Sequence, residues 1–131
     1  MYLLRQRSHS TGYFSGMSEE LEFRFLQFAL EARKLCLIVQ NHTINHEYCR
    51  QLLRSSSSVG ANYIEASDRL GKADETMKLK IARREAKEAC FWLRLVYIPE
   101  TTPDIETKRA ILLDEALQIK KILSAIILKR G

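Results

Sequence analysis

The sequence predicts an all-α protein, an antiparallel up-down-up-down four-helix bundle. Three observations lead there. Between residues 18 and 129 only Gly60, Gly71, Pro99 and Pro103 can interrupt a helix, whereas a β-sandwich or barrel needs a turn signal about every 8–12 residues. Apolar residues recur at steps of three and four in four successive segments. Those segments are of similar length, about 24–27 residues or roughly 36–40 Å each, and short connections join them.

The first helix is expected over about 18–41. Ser18 is a cap candidate, and Glu19, Glu20 and Glu22 suit the positive end of the helix dipole. Leu21, Phe25, Phe28, Ala32, Leu35 and Val39 then share one face. The polar Asn41-His42-Thr43 breaks the pattern.

The second helix is expected over about 45–70, with the stripe Cys49, Leu52, Ser56, Val59, Tyr63, Ala66, Leu70. Ser55-Ser56-Ser57-Ser58 has the composition of a linker, but the stripe keeps phase through it. A continuous helix is therefore predicted, with Ser56 and Gly60 admitting a close neighbour. Gly60 costs about 1 kcal/mol of helix propensity relative to alanine, so packing is the expected reason for it. Gly71 is a C-terminal stop candidate.

The third helix is expected over about 74–98, with Asp74 as N-cap and Pro99 as terminator. Its stripe is Leu79, Ala82, Ala86, Ala89, Leu93 and Val96. Towards its end Cys90, Phe91, Trp92, Leu95 and Tyr97 add apolar area off the stripe, which calls for more than one neighbour. Phe91, Trp92 and Leu95 are the candidate oligomer interface. The fourth helix, about 103–129, opens on Thr102 as N-cap and Pro103 at the first helical position. Ile105, Leu112, Ile119 and Ile126 recur every seven residues.

Domain organisation follows: a disordered extension at 1–17 and one bundle domain at 18–131. The first 16 residues, MYLLRQRSHSTGYFSG, carry two arginines and no acid, and Tyr2-Leu3-Leu4 is too short an apolar core for a secretory signal. They read either as a disordered tail or as translated sequence upstream of a start at Met17. No apolar run approaches the roughly 20 residues of a membrane span. Cys36, Cys49 and Cys90 form no CxxC pair, which argues against a disulfide framework or a zinc site and fits a reducing cytoplasm.

Enzyme chemistry finds no support. Di-iron bundles need paired Glu-x-x-His, and no histidine follows a glutamate at that spacing among His9, His42 and His46. Helical ribonucleases of the HEPN type carry an arginine followed a few residues on by a histidine, and no histidine follows Arg50, Arg54 or any later arginine; no phosphate loop, HExxH or Ser-His-Asp pattern occurs. No catalytic residue, metal or cofactor is expected. What remains is charge. The net charge is +5, and Lys80, Arg83, Arg84 and Lys87 recur at helical spacing on one face of the third helix. That face either tracks phosphates or is simply solvated. Arg54, Asn62, Glu65 and Glu85 are read as a polar network satisfying the bundle interior or a subunit contact, with ligand binding as the alternative.

The segment Arg54-Ser-Ser-Ser-Ser-Val-Gly-Ala-Asn-Tyr-Ile-Glu-Ala66 resembles the signature of the bacterial four helix bundle proteins, also called the 23S ribosomal RNA intervening-sequence or S23 family. Lys78-Leu79-Lys80-Ile81-Ala82, Lys87-Glu88-Ala89 and Trp92-Leu93 extend the resemblance, and Glu85 matches an acidic position common in that family. The resemblance spans about Leu21 to Leu128. It implies a four-helix protomer in a homopentameric, barrel-like ring, encoded within 23S rRNA genes or free-standing in bacterial genomes. A related branch, the accessory variability determinant of diversity-generating retroelements, is a basic pentamer that binds reverse transcriptase and nucleic acid. The partners so implied are further copies of this chain, RNA or DNA, and a reverse transcriptase. The function expected is a homo-oligomeric nucleic-acid-associated binding protein without enzymatic activity. The alternative is an adaptor, such as an accessory subunit docking a retroelement reverse transcriptase.

Overall fold

A computed structural model describes residues 18–68 and 70–130. Four helices follow in order: α1 Glu19–Val39, α2 Asn45–Ala66, α3 Lys72–Leu95 and α4 Pro103–Arg130. Each packs on the next, and α4 closes on α1. Cross-helix pairs show the antiparallel sense. Cys36 Sγ approaches the Cys49 carbonyl while Ser18 at the other end of α1 donates its N–H to the Tyr63 hydroxyl. Glu65 pairs with Lys78, and Arg54, further back on α2, pairs with Glu88, further along α3. The N-terminal extension expected at 1–17 lies outside the described residues.

The core is the set of stripes turned inward. Phe25, Phe28, Ala32, Leu35 and Val39 of α1 meet Cys49, Leu52, Val59, Tyr63 and Ala66 of α2. Leu79, Ala82, Ala86, Ala89 and Leu93 of α3, with Leu112, Ala116, Ile119 and Leu123 of α4, complete it. Phe25 meets Tyr63 edge-on at 5.0 Å.

The serine tract is helical throughout. Serine disfavours helix interiors because its hydroxyl competes for backbone groups. Here each hydroxyl donates back to a carbonyl of its own helix: Ser55 to Leu52, Ser56 to Leu53, Ser57 to Leu53 at 2.8 Å and Ser58 to Arg54 at 2.8 Å. Ser55 and Ser56 can therefore be fully buried without stranding a polar group.

Helix ends depart from the sequence expectation. α2 stops at Ala66, not at residue 70, because Ser67 and Asp68 turn the chain with backbone bonds to Ile64 and Glu65. Leu70 is left 73% exposed, outside the stripe. Gly71, at φ 123°, is the residue before α3 rather than the stop of α2. Asp74 accordingly lies in the first turn of α3, not at its cap. Thr102 donates its hydroxyl to the Pro99 carbonyl, closing the turn that leads into Pro103.

α3 ends at Leu95, three residues short of expectation, and Val96 is extended. Two side chains from elsewhere fix this. The buried Asn45 accepts from the Tyr97 N–H at 2.8 Å and donates to the Tyr97 carbonyl at 2.9 Å and the Val39 carbonyl at 3.1 Å. Arg109 of α4 donates to the carbonyls of Leu93 and Val96, closing the helix terminus. The helices are also less equal than expected, from 21 residues in α1 to 28 in α4. The last turn of α4 is held by an ion pair between Arg130 and Glu75 at the start of α3.

A Cβ built on Gly60 lies 3.4 Å from Phe25 Cβ, an ordinary contact. Alanine therefore fits, and its better propensity makes Gly60→Ala neutral or up to about 1 kcal/mol stabilising. Gly60→Leu pushes into Phe25 and is expected to cost about 1–3 kcal/mol. Urea denaturation of the two variants checks this; equal midpoints would remove Gly60 from the α1–α2 contact.

Candidate nucleic-acid interface

From Lys80 to Leu95, α3 carries five bases and two acids, and the helix places them on different faces. At about 100° per residue, Lys80, Arg84, Lys87, Phe91, Arg94 and Leu95 fall within an arc of about 100°, and all six are exposed. Glu85 and Glu88 lie on the flank beside α2, where Arg54 receives them. Its Nη2 is 2.6 Å from Glu88 Oε2, and its Nη1 is 3.4 Å from Glu85 Oε1.

Arg54 and Glu85 of the expected polar network thus come together. The other two members do not join them. Glu65 pairs with Lys78 at 2.8 Å, nearer the α2–α3 turn. Asn62 donates to the Ser58 carbonyl of its own helix. Two members were missed: Glu88, and Trp92, whose indole N–H donates to Glu88 at 3.0 Å. Their four-residue spacing on a helix was the available signal. The Trp92 bond, followed by those from Arg54, holds the Glu88 carboxyl below the ordinary glutamate range, and the Glu88 bond raises Arg54. Glu85 is 8% exposed, and its Oε1 makes no hydrogen bond. Its other oxygen, Oε2, accepts a long hydrogen bond from Arg54 Nη1 at 3.5 Å.

The four expected basic residues divide as well. Lys80, Arg84 and Lys87 are exposed, while Arg83 is half-buried and leans towards α4, with Nη1 3.4 Å from Ser124 Oγ. Among the described residues no ion pair engages Lys80, Arg84, Lys87 or Arg94. Elsewhere Arg24 pairs with Glu115, Arg50 with Glu47, Lys78 with Glu65 and Arg109 with Glu106, while Arg33, Lys72, Lys108, Lys121 and Lys129 are exposed and carry their charge singly or in scattered positions rather than in a row on one helix face.

The aromatic group divides in its turn. Trp92 is half-buried against Tyr48, with ring centroids 6.3 Å apart. Phe91 meets Trp92 edge-on at 5.1 Å but is itself 56% exposed, and Leu95 is exposed beside it. A second surface feature is a groove of about 610 Å³ between α1 and α4, lined by Phe28, Leu35, Leu37, Ile38, Ile111 and Leu112. Burial pushes all three cysteine thiols up, which disfavours their thiolates. No group of three His, Cys, Asp or Glu suited to a metal occurs among the described residues. Among those residues, no helix is long and apolar enough to cross a membrane.

The family model for the 23S rRNA-intervening sequence protein matches residues 24–125. The chain belongs to that family. A solved structure similar to it is described as a protein with unknown function from the S23 ribosomal protein family of Bacteroides thetaiotaomicron. The two are 31% identical, and the likeness covers 81% of this chain and 96% of that one at a TM-score of 0.70. Among curated proteins none matches. The matched span of this intervening-sequence protein takes in the serine tract, Arg54, Glu85, Glu88 and the whole basic face.

Arg54→Ala strands the buried Glu85 carboxylate without a cation and is expected to cost about 1–3 kcal/mol at neutral pH. Adding Glu85→Ala should recover part of that loss, because the orphaned charge goes with it. Equal urea midpoints for wild type and Arg54→Ala would contradict the pairing. The Glu88 contribution has a defined sign with pH. Its folded pKa is lowered, so the stabilisation is complete above the ordinary glutamate value of about 4.3 and is lost as pH falls towards the lower folded value. Glu88→Gln should therefore trail wild type in stability at pH 7 by more than at pH 3. A gap independent of pH would count against it.

Proposed function

We propose that this intervening-sequence protein is a non-enzymatic, homo-oligomeric, nucleic-acid-associated protein, and that the outer face of α3 meets the phosphates. The carrying observation is the sorting of charge along α3. Glu85 and Glu88 are drawn aside to Arg54, and Lys80, Arg84, Lys87 and Arg94 face outward without ion pairs. From Lys80 to Arg94 this row runs about 21 Å along the axis. Arg83, leaning on Ser124, borders it. Unpaired cations in such a row gain by releasing condensed counterions from a nucleic acid, without reading sequence.

Self-association strengthens the reading, because copies of a chain of net charge +5 sum their fields. Phe91 and Leu95 continue the basic face, and Trp92 is engaged by Tyr48 and Glu88 within the protomer. The α1–α4 groove, with Leu37 61% and Ile111 66% exposed, is then the surface for copies of the chain. The same groove favours a second reading, an adaptor that docks another protein such as a retroelement reverse transcriptase. In that case groove substitutions abolish partner capture and leave the oligomer intact.

Reversing Lys80, Arg84 and Lys87 to glutamate should abolish salt-sensitive binding to structured RNA and duplex DNA in a fluorescence-anisotropy titration. Reversing Arg50, already paired with Glu47 on α2, should have little effect. Binding that is absent in wild type, or insensitive to salt, would overturn the phosphate reading. Leu37→Glu with Ile111→Glu should lower the molar mass in light scattering. An unchanged mass would remove the groove from self-association.

A further inference from the structure

We infer that the α3 face prefers single-stranded nucleic acid, with Phe91 as the platform on which a base stacks. The inference rests on the reading of that face as a phosphate surface and names the form of nucleic acid it takes.

Phe91 is an aromatic ring left 56% exposed on a charged face, while Trp92, one residue on, is half-buried against Tyr48. Phe91 stands four residues after Lys87 and three before Arg94, so cations flank it along the axis at a rise of about 5–6 Å on either side. Arg84 and Lys80 lie about two and three turns before Phe91 on the same face. Interleaved cations and an exposed ring are the two components of sequence-tolerant single-strand binding: the cations follow the backbone and the ring accepts the flat side of any base.

The ring is also held in place before a base arrives. Its edge-on contact to Trp92 is 5.1 Å at an interplanar angle of 73°. Trp92 is fixed in turn by its N–H bond to Glu88 and by Tyr48. The edge-on contact reduces the side-chain freedom to be lost on stacking. A duplex hides its base faces inside the helix and offers this ring nothing, although its phosphates attract the cations equally. The base π-face is common to RNA and DNA, so stacking on Phe91 serves either backbone.

The test is fluorescence anisotropy with labelled oligouridylate RNA and oligothymidylate DNA of about 12 nucleotides, each beside a mixed-sequence duplex of the same length, over a range of salt. Wild type is expected to bind the single strands more tightly than the duplexes. Phe91→Ala should weaken single-strand binding about fivefold or more on both backbones. It should leave duplex affinity, salt slope and light-scattering mass unchanged, and Phe91→Trp should retain wild-type affinity. The tighter backbone names the source as RNA or DNA. Equal binding of single strands and duplexes overturns the inference, as does a Phe91→Ala loss shared by duplexes or accompanied by a fall in mass. Lys80→Gln with Lys87→Gln separates the two levels. If that variant lowers the salt slope and Phe91→Ala is silent, only the stacking inference fails. If it leaves the slope unchanged, the phosphate reading fails with it.

Discussion

The close seam between α2 and α3 is the constraint on which the rest depends. It is the most extensive helix contact in the bundle, and both helices bring small buried residues to the core, Ser55, Ser56 and Val59 from one and Ala82, Ala86 and Ala89 from the other. Bulkier side chains there would hold the two backbones apart. Serine is a costly choice for a buried helical position, and the back-bonds to Leu52, Leu53 and Arg54 make it tolerable. The tract that looks like a linker in composition is thus a continuous helix with two of its serines buried in the core.

The chemistry of the surface follows from this seam. Arg54 reaches across it to Glu85 and Glu88, and Trp92 supplies a further donor to Glu88. Glu85 and Glu88 flank the outer face of α3 on the α2 side, and the arc beside them carries Lys80, Arg84, Lys87 and Arg94, with Phe91 and Leu95 at its C-terminal end. The Arg54 pair is modest as a stabilising contact, since Arg54 is half exposed, and it engages the two acids that border the basic face.

The architecture was legible because burial leaves a period in the sequence: the α3 stripe is buried throughout, and those of α1, α2 and α4 are buried through their middles, including the phase held through Ser55–Ser58, while Leu21, Ile105 and Ile126 at the ends are only partly buried. Helix ends were less legible, because Leu70 fits the phase of α2 while local bonds at Ser67 and Asp68 end the helix before it. Asn45, which ties the α1–α2 and α3–α4 connections together across 52 residues of sequence, left no local signal. On the candidate face, spacing alone could not separate Arg83 from Arg84, because both fall near the same arc. The difference is made by Ser124 of α4, 41 residues away. Glu88 and Trp92 were legible as a four-residue pair, yet their common link to Arg54 appears only once α2 and α3 are side by side.

Native-state hydrogen exchange of the amides from Ser55 to Gly60 tests the central claim most directly. If the serine tract is the closely packed centre of the α2–α3 seam, these amides exchange only through global unfolding, with an opening free energy equal to the stability measured by denaturant. Exchange at the rate of the loop amides around Asn41 or Gly71 would show that the tract opens on its own, and would contradict the account of the seam and of the charge sorting built on it.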